Sequence, residues 1–361
     1  MISRYTARVP YLGQLMFRLE AQKERVLEHW PERPNRDQGR AKNIDSHRAV
    51  WTPPLSPSQA HCLEERQIQR KFQLPGLVSI TDHDDIKAGT LLRVLDPFRK
   101  APISTEWTIP FGPTFFHLGI HNMPETDSSG IMEQLRAFTE KPEIENLQDT
   151  LAMLNSYPGI LLVLNHPLWD EKGIGVARHA EVVTDMLAHY GRFFHALEVN
   201  GFRPWNENQK IMALGQQTTI PVVSGGDRHG CEPNAILNLS QAATFEEFIH
   251  EVRRQRVSHV VFMPQYHEPL KLRIVQTILD VICDYPENLE GRRYLPERLF
   301  YRGSEYALPV PLTSIWSGDA RKTLSGFFSA IRLLEWHGFR SALRFALSDQ
   351  SSKWCDREAA A

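Results

Sequence analysis

Metal-competent side chains recur along this chain, each set within or directly behind an apolar segment. LVSIT (77–81) is followed by Asp82, His83 and Asp84, and ILLVL (160–164) by Asn165, His166 and Pro167. PVVS (221–224) is followed by Gly225, Gly226, Asp227, Arg228 and His229. His117 lies inside TFFHLGI (114–120), Glu106 inside ISTEWTI (103–109), and Asp45 and His47 close NIDSH (43–47). Imidazole and carboxylate together suit Zn, Mn or Fe rather than Ca or Mg, which prefer all-oxygen shells. A single His is most often a satisfied polar residue; so many segments delivering His, Asp or Glu at matching positions favour a shared site for two or more divalent ions. A carboxylate can bridge two cations, and ions about 3.5–4 Å apart can share a hydroxide and grip a substrate oxygen. Such a site makes its nucleophile without Ser or Cys, and neither a GxSxG elbow nor a Cys/His protease signature is present.

These residues must be carried by elements that bring them together. From about residue 42 to 265, short apolar strands alternate with amphipathic helical stretches. The strands are the segments above plus HALEV (195–199) and HVVFM (259–263), with 103–109 the weakest. Helices are expected from Ser56-Pro57 to about residue 71, and over 131–139, 147–154, 177–190, 207–215 and 245–254. Alternation at this scale implies a mainly parallel sheet. Repeated seven or eight times it fits a closed or distorted barrel better than a doubly wound sheet, and no GxGxxG follows any strand. In such barrels the C-terminal strand ends converge on one mouth, where ligands bind. Outside this region, 12–30 is expected to be a helix followed by a polar linker. Residues 272–285 and 319–336 are expected to form helices of a C-terminal appendage. The expected division is therefore 1–41, 42–265 and 266–361.

Composition narrows the partners. Of 361 residues, 42% are hydrophobic and 23% charged, enough to bury a sizeable core. A net charge of −2 supplies no basic field of the kind that draws nucleic acid. Cys62, Cys231, Cys283 and Cys355 show no paired spacing and read as reduced, mostly buried thiols. No secretory signal is expected, because charges begin at Arg4 without an apolar core behind them. No run approaches the ~18–20 apolar residues of a membrane helix, so a cytoplasmic location without membrane partners is expected.

At these residues the sequence resembles the PHP (polymerase and histidinol phosphatase) family, across roughly 43–265. The resemblance is carried by Asp45-Ser46-His47, Ser56-Pro57, Thr81-Asp82-His83-Asp84, Glu106, His117-Leu118-Gly119, His166-Pro167, Glu198-Val199-Asn200 and Gly226-Asp227-Arg228-His229. It implies an α/β fold, a distorted (β/α)7 barrel of PHP type with N- and C-terminal helical extensions, that hydrolyses phosphate esters at a centre of two to three divalent metal ions. By family analogy one ion takes Asp45, His47, Glu106 and Asp227, and a second takes Glu106, His117 and His166. A third keeps His83 and His229 but lacks its carboxylate, since Thr52 stands where the family has Asp. In the same alignment Asp45 replaces the family's first His; a shifted register, less favoured, would put His47 first.

The function expected on this basis is phosphoesterase activity by a metal-bridged hydroxide on a small phosphorylated substrate, monoester or diester. Catalytic roles fall to His83, Asp227, Arg228 and His229. Lys172, Arg178 and Arg203 are further candidates for phosphate contact, each weighed against a solvated loop charge. Asp82 and Asp84 either orient His83 or cap the following helix. His121 and His195 read as structural, and Glu198 faces either the mouth or strand packing. Two rivals stand beside this reading: a PHP domain reduced to a metal-stabilised binding or regulatory module, favoured by Asp45 and Thr52, and a hydrolase of another bond such as an amide.

Overall fold

Strand faces that change from apolar at one end to polar at the other organise this molecule. The computed structural model describes residues 49–51, 55–227, 231–282, 298–301 and 310–311. In chain order the strands are β1 (Ala49–Trp51), β2 (Thr81–His83), β3 (Ile103–Phe111), β4 (Thr114–Met123), β5 (Leu161–Asn165) and β6 (Ala196–Asn200). They continue with β7 (Val222–Gly225), β8 (Ile236–Leu239), β9 (His259–Phe262), β10 (Leu299–Tyr301) and β11 (Val310–Pro311). The chain forms two units. In one, β1, β10 and β11 make an antiparallel sheet with Val50 opposite Phe300 and Phe300 opposite Pro311.

The other unit is a mixed α/β structure around a six-stranded sheet of order β2-β3-β4-β5-β6-β7. The β2–β3, β5–β6 and β6–β7 pairings are parallel, but β4 runs antiparallel to both β3 and β5. The mainly parallel expectation is corrected at this strand. Its cause is local: Gly112, at φ +56°, and Pro113 close a tight hairpin between Phe111 and Thr114, where a crossover helix would otherwise be needed. The reversal matters for His117. Near the start of β4 it lies opposite Asn165 at the end of β5, so an antiparallel strand delivers it to the edge where its neighbours end.

One sheet face is apolar throughout. Trp107, Ile109, Phe116, Leu118, Leu162, Leu164, Leu197 and Val199 pack there with Leu135, Leu151, Met186 and Ile211 from four helices. Those helices are Ser128–Glu140, Ile144–Ser156, Val176–Tyr190 and Trp205–Thr218, each longer than the periodic stretch that signals it. The opposite face splits along its length. Leu161, Val163, Ala196 and Val223 pack on Phe245, Ile249 and Val252, while Glu106, His117, Asn165 and Glu198 are buried polar groups. Side chains two apart on a strand share a face. Stepping from Leu161 through Val163 to Asn165, or from Ala196 to Glu198, therefore leads from an apolar plug to a polar floor.

Several local expectations shift. The strand expected at 77–81 forms instead at Thr81–His83, so His83 is itself in the ladder, paired with Glu106. The strand at 259–263 pairs with Ile236–Leu239 in a separate two-stranded sheet. The helix expected behind Asp82 and Asp84 forms at Lys87–Val94. Ser56 and Gln59 form the capping box that starts the Pro57–Phe72 helix where Ser56-Pro57 indicates. NIDSH (43–47), 12–30 and 319–336 lie outside the described residues. Among the described residues no helix is long and apolar enough to cross a membrane.

His195 and His121 both bond to neighbouring segments, His121 through the Ser79 hydroxyl, 2.8 Å from its Nδ1. His195 Nδ1 accepts the Leu162 N–H at 2.9 Å, and Nε2 faces Asn155 Oδ1 at 2.9 Å. Burial, reinforced by Arg253, lowers the His195 pKa to about 3. An unfolded His takes up a proton near pH 6.5 and the native one does not, so stability from this site is lost as pH falls from 6.5 toward 3. His195→Gln should therefore be less acid-sensitive. Between pH 6.5 and 4.5 its urea-unfolding free energy should fall by about 2–3 kcal/mol less than that of the unsubstituted protein, at about 1.4 kcal/mol per pH unit. Equal losses in both would contradict the assignment.

Candidate metal centre

Four strands and two loops build the site. β2 brings His83, β3 brings Glu106, β4 brings His117, and the residue after β5 is His166. Their ligand atoms converge. Glu106 Oε1 lies 3.4 Å from His117 Nδ1 and 3.3 Å from His166 Nε2, and those two nitrogens face each other at 3.4 Å. Glu106 Oε2 is 3.7 Å from His83 Nε2. His83, Glu106 and His117 thus form a group able to hold a metal ion. Atoms sharing a tetrahedral ion at 2.0–2.1 Å are about 3.3–3.4 Å apart, so the His117–His166–Glu106 triangle has the edge length such an ion requires. The donor set, imidazole nitrogen and carboxylate, is one that a divalent ion can take.

The electrostatics divide the three rings: His117 is held neutral, while Glu106 draws His83 and His166 toward their charged forms, as in an ion pair. Burial alone would raise the Glu106 carboxyl, but His83, His117 and His166 hold it well below the usual carboxylate range. Burial lowers His117 to about 3, leaving its ring neutral with a lone pair to offer. At His166 burial is outweighed by the hydrogen bond with Glu106, and the pKa rises to about 9. His83 is raised too, its burial offset by Glu106 and Asp227.

A surrounding layer fixes these groups. Asn165 Nδ2 donates to Glu106 Oε1 at 3.0 Å, orienting the carboxylate. Glu198 Oε2 accepts the His166 N–H at 2.9 Å and a bond from Asn200 Nδ2 at 3.0 Å; burial raises its pKa to about 7. Glu198 therefore lies buried beneath the turn at His166. Asp84 accepts the Thr108 N–H and hydroxyl, and Asp82 accepts the Ala88 N–H in the Lys87–Val94 helix. Both tie the His83 segment down by bonds to other elements rather than by touching the ring. Asp84, His166 and Asp227 all have positive φ (52°, 28° and 43°) just past β2, β5 and β7. Each costs about 1–3 kcal/mol, strain concentrated where chemistry would sit. Gln73, Thr219 and Arg256, also positive, merely end helices.

Gly225 has a steric reason. A Cβ there would lie 1.4 Å from Glu198 Oε1, so the glycine makes room for that carboxylate. Gly225→Ala should displace Glu198, strip the His166 N–H of its acceptor and cost about 2–3 kcal/mol, readable by chemical denaturation. A neutral result would show that Glu198 relocates freely.

Asp227 acts electrostatically on His83, His117 and His166, and its Oδ2 accepts Arg203 Nη2 at 2.8 Å. Arg203 is no solvated loop charge: only 5% exposed, it stacks 4.3 Å from the Trp169 ring centroid. Lys172 lies over Phe115, and exposed Arg178 pairs with Glu181. The sequence names Asn165 behind ILLVL without giving it a role, and gives no sign of Glu171. Glu171 Oε2 is 3.9 Å from His117 Nδ1; burial raises its pKa, and His166, Asp227, His83 and Arg203 act on its charge. The adjacency of Asn165 to His166 is the available signal for the first; Glu171 leaves none. Asp45, His47, Thr52, Arg228 and His229 lie outside the described residues.

No family model matches the chain, and no curated protein does. Among solved structures, one similar in shape comes from Bifidobacterium adolescentis and is described provisionally as a metal-dependent phosphoesterase. It is 16% identical over 54% of this chain and 89% of that one, with a TM-score of 0.33. At that TM-score the likeness carries no weight for this chain, whose site must be read from its own residues.

Proposed function

We propose that this protein is a metal-dependent hydrolase whose substrate is a small phosphate ester. The observation that carries the reading is the triangle of His117 Nδ1, His166 Nε2 and Glu106 Oε1, with edges of 3.3–3.4 Å. Glu106 presents its other oxygen to His83, which supports a second ion sharing this carboxylate. When bound, divalent ions of this kind supply a hydroxide at neutral pH and offset charge on phosphoryl oxygens. The chain's own residues hold the frame: Asn165 sets Glu106, Glu198 sets the turn at His166, and Arg203 sets Asp227. Arg203 against Trp169 also closes that side of the site to water.

The finer assignments belong to the same proposal. They are a distorted seven-stranded barrel over 42–265, two to three ions, and catalytic roles for His83, Asp227, Arg228 and His229. A net charge of −2 supports a small phosphorylated molecule, met in the cytoplasm, over a nucleic acid. The test is elemental analysis followed by turnover of an aryl phosphate after Mn or Zn loading. About two equivalents of metal with phosphate release are expected. Metal without phosphate release, but with release from amide substrates, would transfer the site to another bond.

A further inference from the structure

The loop between β5 and the Val176–Tyr190 helix carries a carboxylate that neither the metal triangle nor the strands explain. Asp170 organises this loop: its carboxylate accepts the N–H groups of Ile174 at 3.0 Å and Gly175 at 2.7 Å. The Trp169 N–H is bound by the His166 carbonyl at 2.9 Å, and the Trp169 ring stacks with buried Arg203. Glu171 sits between these anchors with its side chain 20% exposed, and its Oε2 is 3.9 Å from His117 Nδ1. Among the described residues it has no Lys or Arg partner within salt-bridge distance, and adjacent Lys172 lies over Phe115 instead. An acidic side chain is thus held beside His117, where Asp227 already acts on it.

Resting on the metal reading above, we propose that Glu171 is a further ligand of the ion held by His117, His166 and Glu106. Two imidazoles and one carboxylate leave a dication with one uncompensated charge, and a second carboxylate neutralises it. The 3.9 Å separation exceeds the edge of a tetrahedral site by about half an ångström, less than one rotamer adjustment of a Glu side chain moves its oxygens. The loop would then be fastened to the strands through the metal, so that the ion orders the rim of its own site.

The test compares the full chain with Glu171→Gln and Glu171→Asp. Each protein is stripped of metal and titrated with Zn in competition with a chromophoric chelator, and its metal-free melting temperature is recorded. For Gln, affinity should fall by about tenfold or more with the metal-free melting temperature unchanged or raised; Asp should lie between Gln and the unsubstituted chain. Gln affinity within about twofold of the unsubstituted chain would overturn the proposal and leave the metal site standing. Parallel losses of affinity and metal-free melting temperature in both variants would assign Glu171 to loop packing, which also overturns it. If the unsubstituted chain binds no Zn, both this proposal and the hydrolase reading fall.

Discussion

Glu106→Gln should cost the protein its bound metal and its turnover together. Glu106 lies within 3.7 Å of His83, His117 and His166, through both of its oxygens. Gln keeps the shape and removes the charge, leaving a dication with imidazoles and no carboxylate at the triangle. Metal affinity should drop more than about 100-fold, beyond the 10–100-fold typical of losing a supporting partner. Phosphate release should fall at least in proportion at subsaturating metal. Metal-free stability should fall as well, because Glu106 holds its charge against the His83, His117 and His166 rings and its loss leaves a buried His166 without its acceptor. Chelator competition and thermal melting of the stripped protein read the two effects separately. Affinity within about tenfold of the unsubstituted chain would remove Glu106 from the centre.

Arg203→Met should be the largest stability effect, and one that metal partly repairs. The guanidinium is buried, bonded to Asp227 and stacked on Trp169, with Glu207 Oε1 3.8 Å from its Nε. Removing one partner of a buried pair costs about 3–5 kcal/mol, because the other charge stays behind. The unfolding free energy of the metal-free variant should fall by that amount. If Asp227 also serves an ion, saturating Zn or Mn should narrow the gap to the unsubstituted protein, since the cation then compensates Asp227. A gap unchanged by metal would separate Asp227 from the centre.

The parts of this site legible in sequence are those placed by strands. A residue behind an apolar run has its position fixed by the ladder, which is why His83, His117, His166 and Asp227 can be gathered from sequence pattern alone. Glu106 stands in the segment with the weakest strand signal, yet Ile103–Phe111 is long and paired on both sides. Gly112-Pro113 signals the β3–β4 hairpin, but strand–helix alternation elsewhere favours a parallel order. The Lys87–Val94 helix is short and contains Gly89, a poor helix former. That glycine is needed because a Cβ would come 2.9 Å from Ile103 Cα, a close approach that only tertiary packing reveals. Glu171, and the burial of Arg203, are beyond the reach of sequence for a similar reason. Their local sequences read as solvated turns. What draws them inward is the bonding of Asp170 to backbone farther along the loop and the stack between Trp169 and Arg203.

The central claim is that one divalent ion is held jointly by His117, His166 and Glu106. Anomalous diffraction at the absorption edge of Zn or Mn, from crystals of the metal-loaded protein, tests it most directly. The account predicts a peak about 2.0–2.2 Å from His117 Nδ1, His166 Nε2 and Glu106 Oε1. A peak bound elsewhere, or none at these three atoms under saturating metal, would contradict it.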